Sequence, residues 1–129
     1  MKKLTKLEMQ IMETLWSKGA ATIREIQEAF PANRRPAYTT IQTTVYRLEF
    51  KRVLRRGKKT GNAHYFEPLV TRATAQRRLI DDLLALFGGQ GQPIMAHLID
   101  SGSLSMADVR NAQKTLRAMS SRKQESPRD

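Results

Sequence analysis

The 129-residue sequence predicts a mostly α-helical chain interrupted by one small β-hairpin. Three observations lead there. Apolar residues recur three or four apart through most of the chain, the spacing of a helix face. Two Thr-x-x-Glu signatures, Thr5 with Glu8 and Thr22 with Glu25, have the form of capping boxes at helix starts. Only between residues 53 and 70 does the texture change to short runs of strand-forming residues around a Lys, Thr, Gly and Asn turn.

The first helix follows Thr5, with Leu7, Ile11, Met12, Leu15 and Trp16 on its buried face and Gly19 as its stop. A second helix of about two turns follows Thr22, uses Ile23, Ile26, Ala29 and Phe30, and ends at Pro31. The segment from Pro31 to Pro36 is a turn that carries Arg34 and Arg35. A third helix then spans residues 37–51. Ile41, Val45 and Leu48 line its core face, while Tyr38, Thr39, Gln42, Thr43 and Tyr46 line the other. Threonine is a poor helix former, and a surface selected for stability would carry Ala, Glu or Lys instead. Another requirement placed the threonines there.

Val53–Lys58 and His64–Val70 read as two strands joined by a turn at 59–62, with Pro68 tolerable near a strand end and the hairpin edge exposed. From Thr71 the chain is helical again. Leu79, Ile80, Leu83, Leu84, Leu86 and Phe87 form an apolar helix that stops at Gly88 and Gly89, and residues 88–93 read as a flexible joint. Ile94, Met95, Leu98 and Ile99 mark a short helix. Ser105 with Asp108 caps a last one, whose Val109, Ala112, Leu116 and Met119 step by three, four and three as a two-heptad stripe. Residues 120–129 are polar and are expected to be disordered. The expected organisation is a helix-and-hairpin domain over 1–70, a helical domain over 71–119, and a tail.

Charge names the class of partner. Lys and Arg number 23 against 12 Asp and Glu, a net charge of +11, which points to a polyanion. Residues 37–70 concentrate the excess, with Arg47, Lys51, Arg52, Arg55, Arg56, Lys58 and Lys59 against only Glu49 and Glu67. These charges lie on a patterned helix and a hairpin, which suits nucleic acid better than a membrane surface. There is no cysteine, and His64 and His97 stand apart, so no metal-ligand spacing, disulfide or thiol nucleophile exists, and no cofactor or small-molecule ligand is evident. Adjacent Asp81 and Asp82 point about 100° apart on a helix, and no cluster of nucleophile, base and orienting group can be named. The chain does not read as an enzyme. Glu8, Gln10 and Glu13 interrupt any signal-peptide core after Lys2 and Lys3, and no stretch approaches a membrane span, so a cytoplasmic location is expected.

Helix, short helix, patterned helix and basic hairpin is the element order of a winged helix-turn-helix, whose third helix enters the major groove of double-stranded DNA while the wing meets phosphate or the minor groove. On that reading Thr39, Thr40, Gln42, Thr43 and Tyr46 face base edges. Gln42 has the groups to bridge adenine N6 and N7, and the threonines offer both a hydroxyl and a methyl. Arg34, Arg35, Tyr38, Arg47, Arg55, Arg56, Lys58 and Lys59 are the expected phosphate contacts, which position without reading sequence.

The run TTIQTTVYRL at 39–48, the basic turn and HYFEPLV that follow, and the opening LTKLEMQIMETLW at 4–16 resemble the penicillinase-repressor family, often called BlaI/MecI, over residues 4–118. The resemblance implies a homodimeric bacterial repressor that occludes promoter DNA and is inactivated when a membrane-bound sensor metallopeptidase system leads to cleavage in the C-terminal region. The family's scissile Asn–Phe pair corresponds to His97–Leu98 here, upstream of Asp100 and Leu104-Ser105, and neither residue matches. The copper-responsive branch uses C-terminal cysteines, which this chain lacks.

Dimerisation is also expected from the residues. About 50 residues of short helices make a poor independent core. Packing Leu83, Phe87, Leu98, Val109, Ala112, Leu116 and Met119 against a second copy removes that difficulty. Two modules could then read half-sites of a palindromic operator about 34 Å apart. A different class of reading is a regulatory protein-interaction module that docks an acidic partner on its basic face.

Overall fold

The computed structural model describes residues 3–125, with side chains through Arg122. Six α-helices and one hairpin follow in order: α1 (Lys6–Lys18), α2 (Ile23–Glu28), a 3₁₀ turn (Ala32–Arg34), α3 (Tyr38–Phe50), β1 (Leu54–Thr60), β2 (Ala63–Pro68), α4 (Arg72–Leu86), α5 (Gln92–Asp100) and α6 (Met106–Glu125). The architecture is the mostly helical, winged helix-turn-helix one that the sequence predicts. The chain divides into two compact units, Met1–Leu83 and Leu84–Asp129.

In the first unit both Thr-x-x-Glu signatures form complete capping boxes. The Glu8 and Glu25 amides donate to the threonine hydroxyls, and their carboxylates accept from the threonine amides. α1 ends at Gly19, whose φ of 84° only glycine adopts without strain. The core is built from Ile11, Met12 and Leu15 of α1, Ile23 and Ile26 of α2, Ile41, Val45 and Leu48 of α3, and Val53, Leu54 and Phe66 of the wing. Ala75 of α4 is buried with them. Several contacts hold the start of α4 and the residues before it to α1. Trp16 Nε1 donates to the Val70 carbonyl at 2.9 Å, Arg72 stacks over the Trp16 ring, and the Arg72 guanidinium grips Glu13 at 2.7 Å.

α3 ends in a Schellman motif: the Arg52 amide donates to Glu49 O and the Val53 amide to Leu48 O, each at 3.0 Å. Arg52 supplies the left-handed residue, at φ 63°, where glycine is usual. Val53 and Leu48, the two residues that the motif brings together, are both buried.

The hairpin departs from the predicted boundaries. Its strands extend to Thr60 and from Ala63, so the turn is only Gly61-Asn62, with Gly61 at φ 61°. A glycine-first two-residue turn matches the twist of paired strands, which lets pairing run closer to the tip than composition suggested. A bulge between Arg56 and Lys59 shifts the register. The expected free edge is also closed at one point. Ala21 and Phe66 exchange both backbone hydrogen bonds, at 3.0 and 2.8 Å, which ties β2 to the α1–α2 connection.

In the second unit Ser105 and Asp108 form the predicted reciprocal cap. Hydrogen bonds from the Ser105 amide and hydroxyl hold the Asp108 carboxyl below its ordinary pKa. α5 begins at Gln92 with Pro93 in its first turn, so the joint is shorter than 88–93. α6 runs to Glu125, into the segment expected to be disordered, because Arg122, Lys123, Gln124 and Glu125 are all good helix formers. Residues 126–129 of that expected tail lie outside the described residues. From Leu84 to Arg122 no residue is buried; Leu84, Ile94, Leu104 and Val109 are half-buried and the others exposed.

Candidate nucleic-acid interface

α3 presents two faces of different chemistry. Ile41, Thr44, Val45 and Leu48 are buried. Thr44 was not predicted among them; its hydroxyl donates to the Thr40 carbonyl at 2.8 Å, which lets a polar side chain sit inside. Opposite them, Thr39, Thr43, Tyr46 and Phe50 step by four, three and four along the exposed side. Thr40 and Gln42 flank this line. Phe50, 89% exposed, lies at its C-terminal end and was not singled out from the sequence.

Gln42 is oriented by a neighbour one turn on. Its Nε2 donates to Tyr46 Oη at 3.2 Å. The Tyr46 ring in turn lies against Arg56 of the wing, whose Cζ is 5.3 Å from the ring centroid and 5.3 Å from that of Phe66. Arg56 also forks onto Glu49, with Nε to Oε2 at 3.1 Å and Nη2 to Oε1 at 2.9 Å. The hydrogen bonds that Arg56 donates to that carboxylate, with its charge, outweigh desolvation and raise the Arg56 pKa above its ordinary value.

The cations grouped together in the sequence therefore separate. Arg34, Arg47, Lys58 and Lys59 are exposed and make no ion pair among the described residues. Arg55 pairs with Glu67 across the hairpin. Arg35 turns inward on the α2–α3 connection, donating to the Phe30 carbonyl at 2.9 Å and the Glu28 carbonyl at 3.0 Å, so it holds the turn that aims α3. Tyr38, at the start of α3, lies under Arg24, 5.6 Å from its ring centroid. Arg24, Glu49 and Phe50 are the residues of this surface that sequence reading missed. A charge count sets Glu49 against the basic run, whereas its partner lies seven positions away across a turn.

A cleft of about 330 Å³ opens beside this face, lined by Arg24, Tyr38, Gln42, Tyr46, Asn62 and His64, among others. His64 Nδ1 is buried and has no hydrogen-bond partner among the described residues. No three His, Asp or Glu side chains gather as a metal site among the described residues, and no helix there is long and apolar enough to cross a membrane.

The residues expected to dimerise lie on α4 (Leu83), at its end (Phe87), on α5 (Leu98) and on α6 (Val109, Ala112, Leu116, Met119). Leu116 and Met119 are 63% and 55% exposed. His97–Leu98 falls in the middle of α5. The His97 carbonyl accepts from the Ser101 amide at 2.9 Å, and that of Leu98 from the Ser103 amide at 2.9 Å and the Ser101 hydroxyl at 3.2 Å.

Comparison with known proteins adds the following. The penicillinase repressor family model matches residues 4–118. The transcriptional regulator BlaI of Mycobacterium tuberculosis, from two strains, is 33% identical over 115 residues, covering 84% of this chain and 83% of that protein. Among solved structures, Bordetella bronchiseptica BpsR aligns over 92% of this chain and 80% of its own, at 19% identity and a TM-score of 0.46.

Proposed function

The chain belongs to the penicillinase repressor family of transcriptional regulators, and from that premise we propose that it binds operator DNA as a homodimer and represses by occupying promoters in the cytoplasm. The observation that carries the DNA-reading half is the α3 face, where Thr39, Thr43 and Tyr46 stand exposed in line beside Gln42, backed by a buried apolar stripe. Such a face suits the donor and acceptor pattern of the major groove. Arg34, Arg47, Lys58 and Lys59 serve as phosphate contacts, since each is exposed and has no acidic partner to displace among the described residues.

The dimer half rests on a different observation. A helical unit in which no described residue is buried has no core of its own, and burying its apolar positions against a second copy supplies one. A palindromic operator follows from two-fold symmetry. A membrane-bound sensor peptidase is carried over from the family as the means of release. In this chain His97–Leu98 is helical and hydrogen-bonded, so a cut there requires α5 to unwind first.

The deciding experiment selects duplexes from a random pool with the full chain, then measures affinity for selected and random duplexes across salt. We expect a clear preference, and a slope of log K on log salt near −0.9 per phosphate neutralised, roughly −3 to −4 per protomer for these four cations. A flat salt response would remove the phosphate assignments. The Gln42→Ala, Thr43→Ala double variant should lose preference; if it keeps it, a protein-docking role for the basic face becomes the better reading.

A further inference from the structure

Resting on that DNA-reading assignment, we propose that Glu49 and Arg56 are positioning residues for sequence recognition: they form a clamp between wing and recognition helix that fixes Tyr46 and, through it, the orientation of the Gln42 amide.

The contacts run in one connected line. Phe66 is buried in the core and held on both edges, by β1 and by the backbone exchange with Ala21. Arg56 lies over both the Phe66 and Tyr46 rings, 5.3 Å from each centroid, and its fork is locked onto Glu49. A guanidinium fits that place because it is planar, stacks on rings and still presents two parallel donors to a carboxylate. Tyr46, fixed in this way, accepts from Gln42 Nε2 at 3.2 Å.

The consequence is chemical. A free glutamine amide turns over easily and can present its donor and acceptor in either order. In the orientation shown, Nε2 gives one N–H to Tyr46, and the other N–H and Oε1 remain for a base edge in the order that adenine N7 and N6 require. Both members of the clamp would otherwise be read differently. Arg56 would count as one more phosphate contact. Glu49 would count as an unfavourable charge facing DNA, since its removal lowers repulsion.

That opposition supplies the test. The full chain, Glu49→Gln, Arg56→Lys and Tyr46→Phe are compared by fluorescence anisotropy on duplexes selected by the wild-type chain, on the same duplexes with single base-pair changes, and on random duplexes. The clamp predicts that Glu49→Gln lowers the ratio of selected to random affinity by roughly tenfold while leaving the salt slope and the melting temperature nearly unchanged. Arg56→Lys should do the same, because lysine keeps the charge but loses the planar fork. Tyr46→Phe should lose the preference at one base pair, and should add little when Gln42 is already alanine.

If Glu49→Gln binds every duplex more tightly and discriminates as before, the clamp is wrong while DNA reading stands. If Arg56→Lys matches wild type and Arg56→Ala lowers the salt slope by about 0.9, Arg56 is a phosphate contact and the clamp is again wrong. If the wild-type chain itself shows no preference between selected and random duplexes, the DNA-reading assignment falls first.

Discussion

Glu8 carries its charge into the core because two groups meet its carboxylate there: the Thr5 amide at 2.8 Å and Lys51 Nζ at 3.0 Å. Burial alone would raise its pKa, but the Thr5 amide and the Lys51 ammonium outweigh that and hold it below the ordinary 4.5. A depressed carboxylate stabilises the fold fully above its unfolded pKa, and that stability disappears as pH falls through the lower folded value. Urea unfolding between about pH 7 and pH 3 should therefore show a loss on the acid side that Glu8→Gln reduces, and Glu8→Ala should lose about 2 kcal/mol at neutral pH by removing half of the capping box and its charged hydrogen bonds. Arg52 offers the opposite sign. Its left-handed backbone in a glycine position means that Arg52→Gly should raise stability by about 1 kcal/mol in the same assay. The Thr5–Glu8 cap was legible as a local pattern. The burial of Glu8 was not, because Lys51 lies 43 residues away. Thr44 was passed over because its side chain is polar, although its place three after Ile41 and four before Leu48 puts it on the core face and Thr43 off it.

Among the elements, helices were the easiest to read, since their periodicity and caps are local signals. α1 and α3 have the predicted core faces, and α6 begins at the predicted cap. α2 buries Ile23 and Ile26 as predicted, but Ala29 is exposed, because the helix ends at Glu28 and Ala29 is its C-cap. The wing was legible as a basic hairpin, but its turn was drawn too long, at 59–62 instead of 61–62, and the Ala21 pairing left no trace in the sequence because a single bridging residue has no periodicity. The candidate surface was only half legible for a related reason. Residue types named Gln42, Tyr46 and Arg56, whereas their mutual contacts depend on how the wing folds back on α3. The tight turn supplies a test at this scale. A β-carbon at Gly61 meets open space, so the strain of its positive φ is the whole effect, and Gly61→Ala should destabilise by about 1 kcal/mol in thermal melts while lowering DNA affinity modestly.

For the molecule as a whole, the contrast between a packed N-terminal unit and a second unit with no buried residue among those described bears most on behaviour in solution. Leu116→Asp combined with Met119→Asp should shift the chain from dimer to monomer in light scattering at micromolar concentration and reduce affinity for a two-half-site duplex far more than for a single half-site. Limited proteolysis of the full chain should cut first near Gly88-Gly89, where two consecutive residues adopt positive φ after α4, and only later within α5. The second unit has a further consequence under the proposed assembly. Where folding of a segment requires a second copy, its ordered fraction follows mass action. At protomer levels below the dimer dissociation constant, the amount of competent repressor would then grow with the square of the protein made, so that halving the supply removes about three-quarters of it. A change in synthesis or turnover could thus open a promoter sharply with no ligand and no modification of the DNA-reading helix.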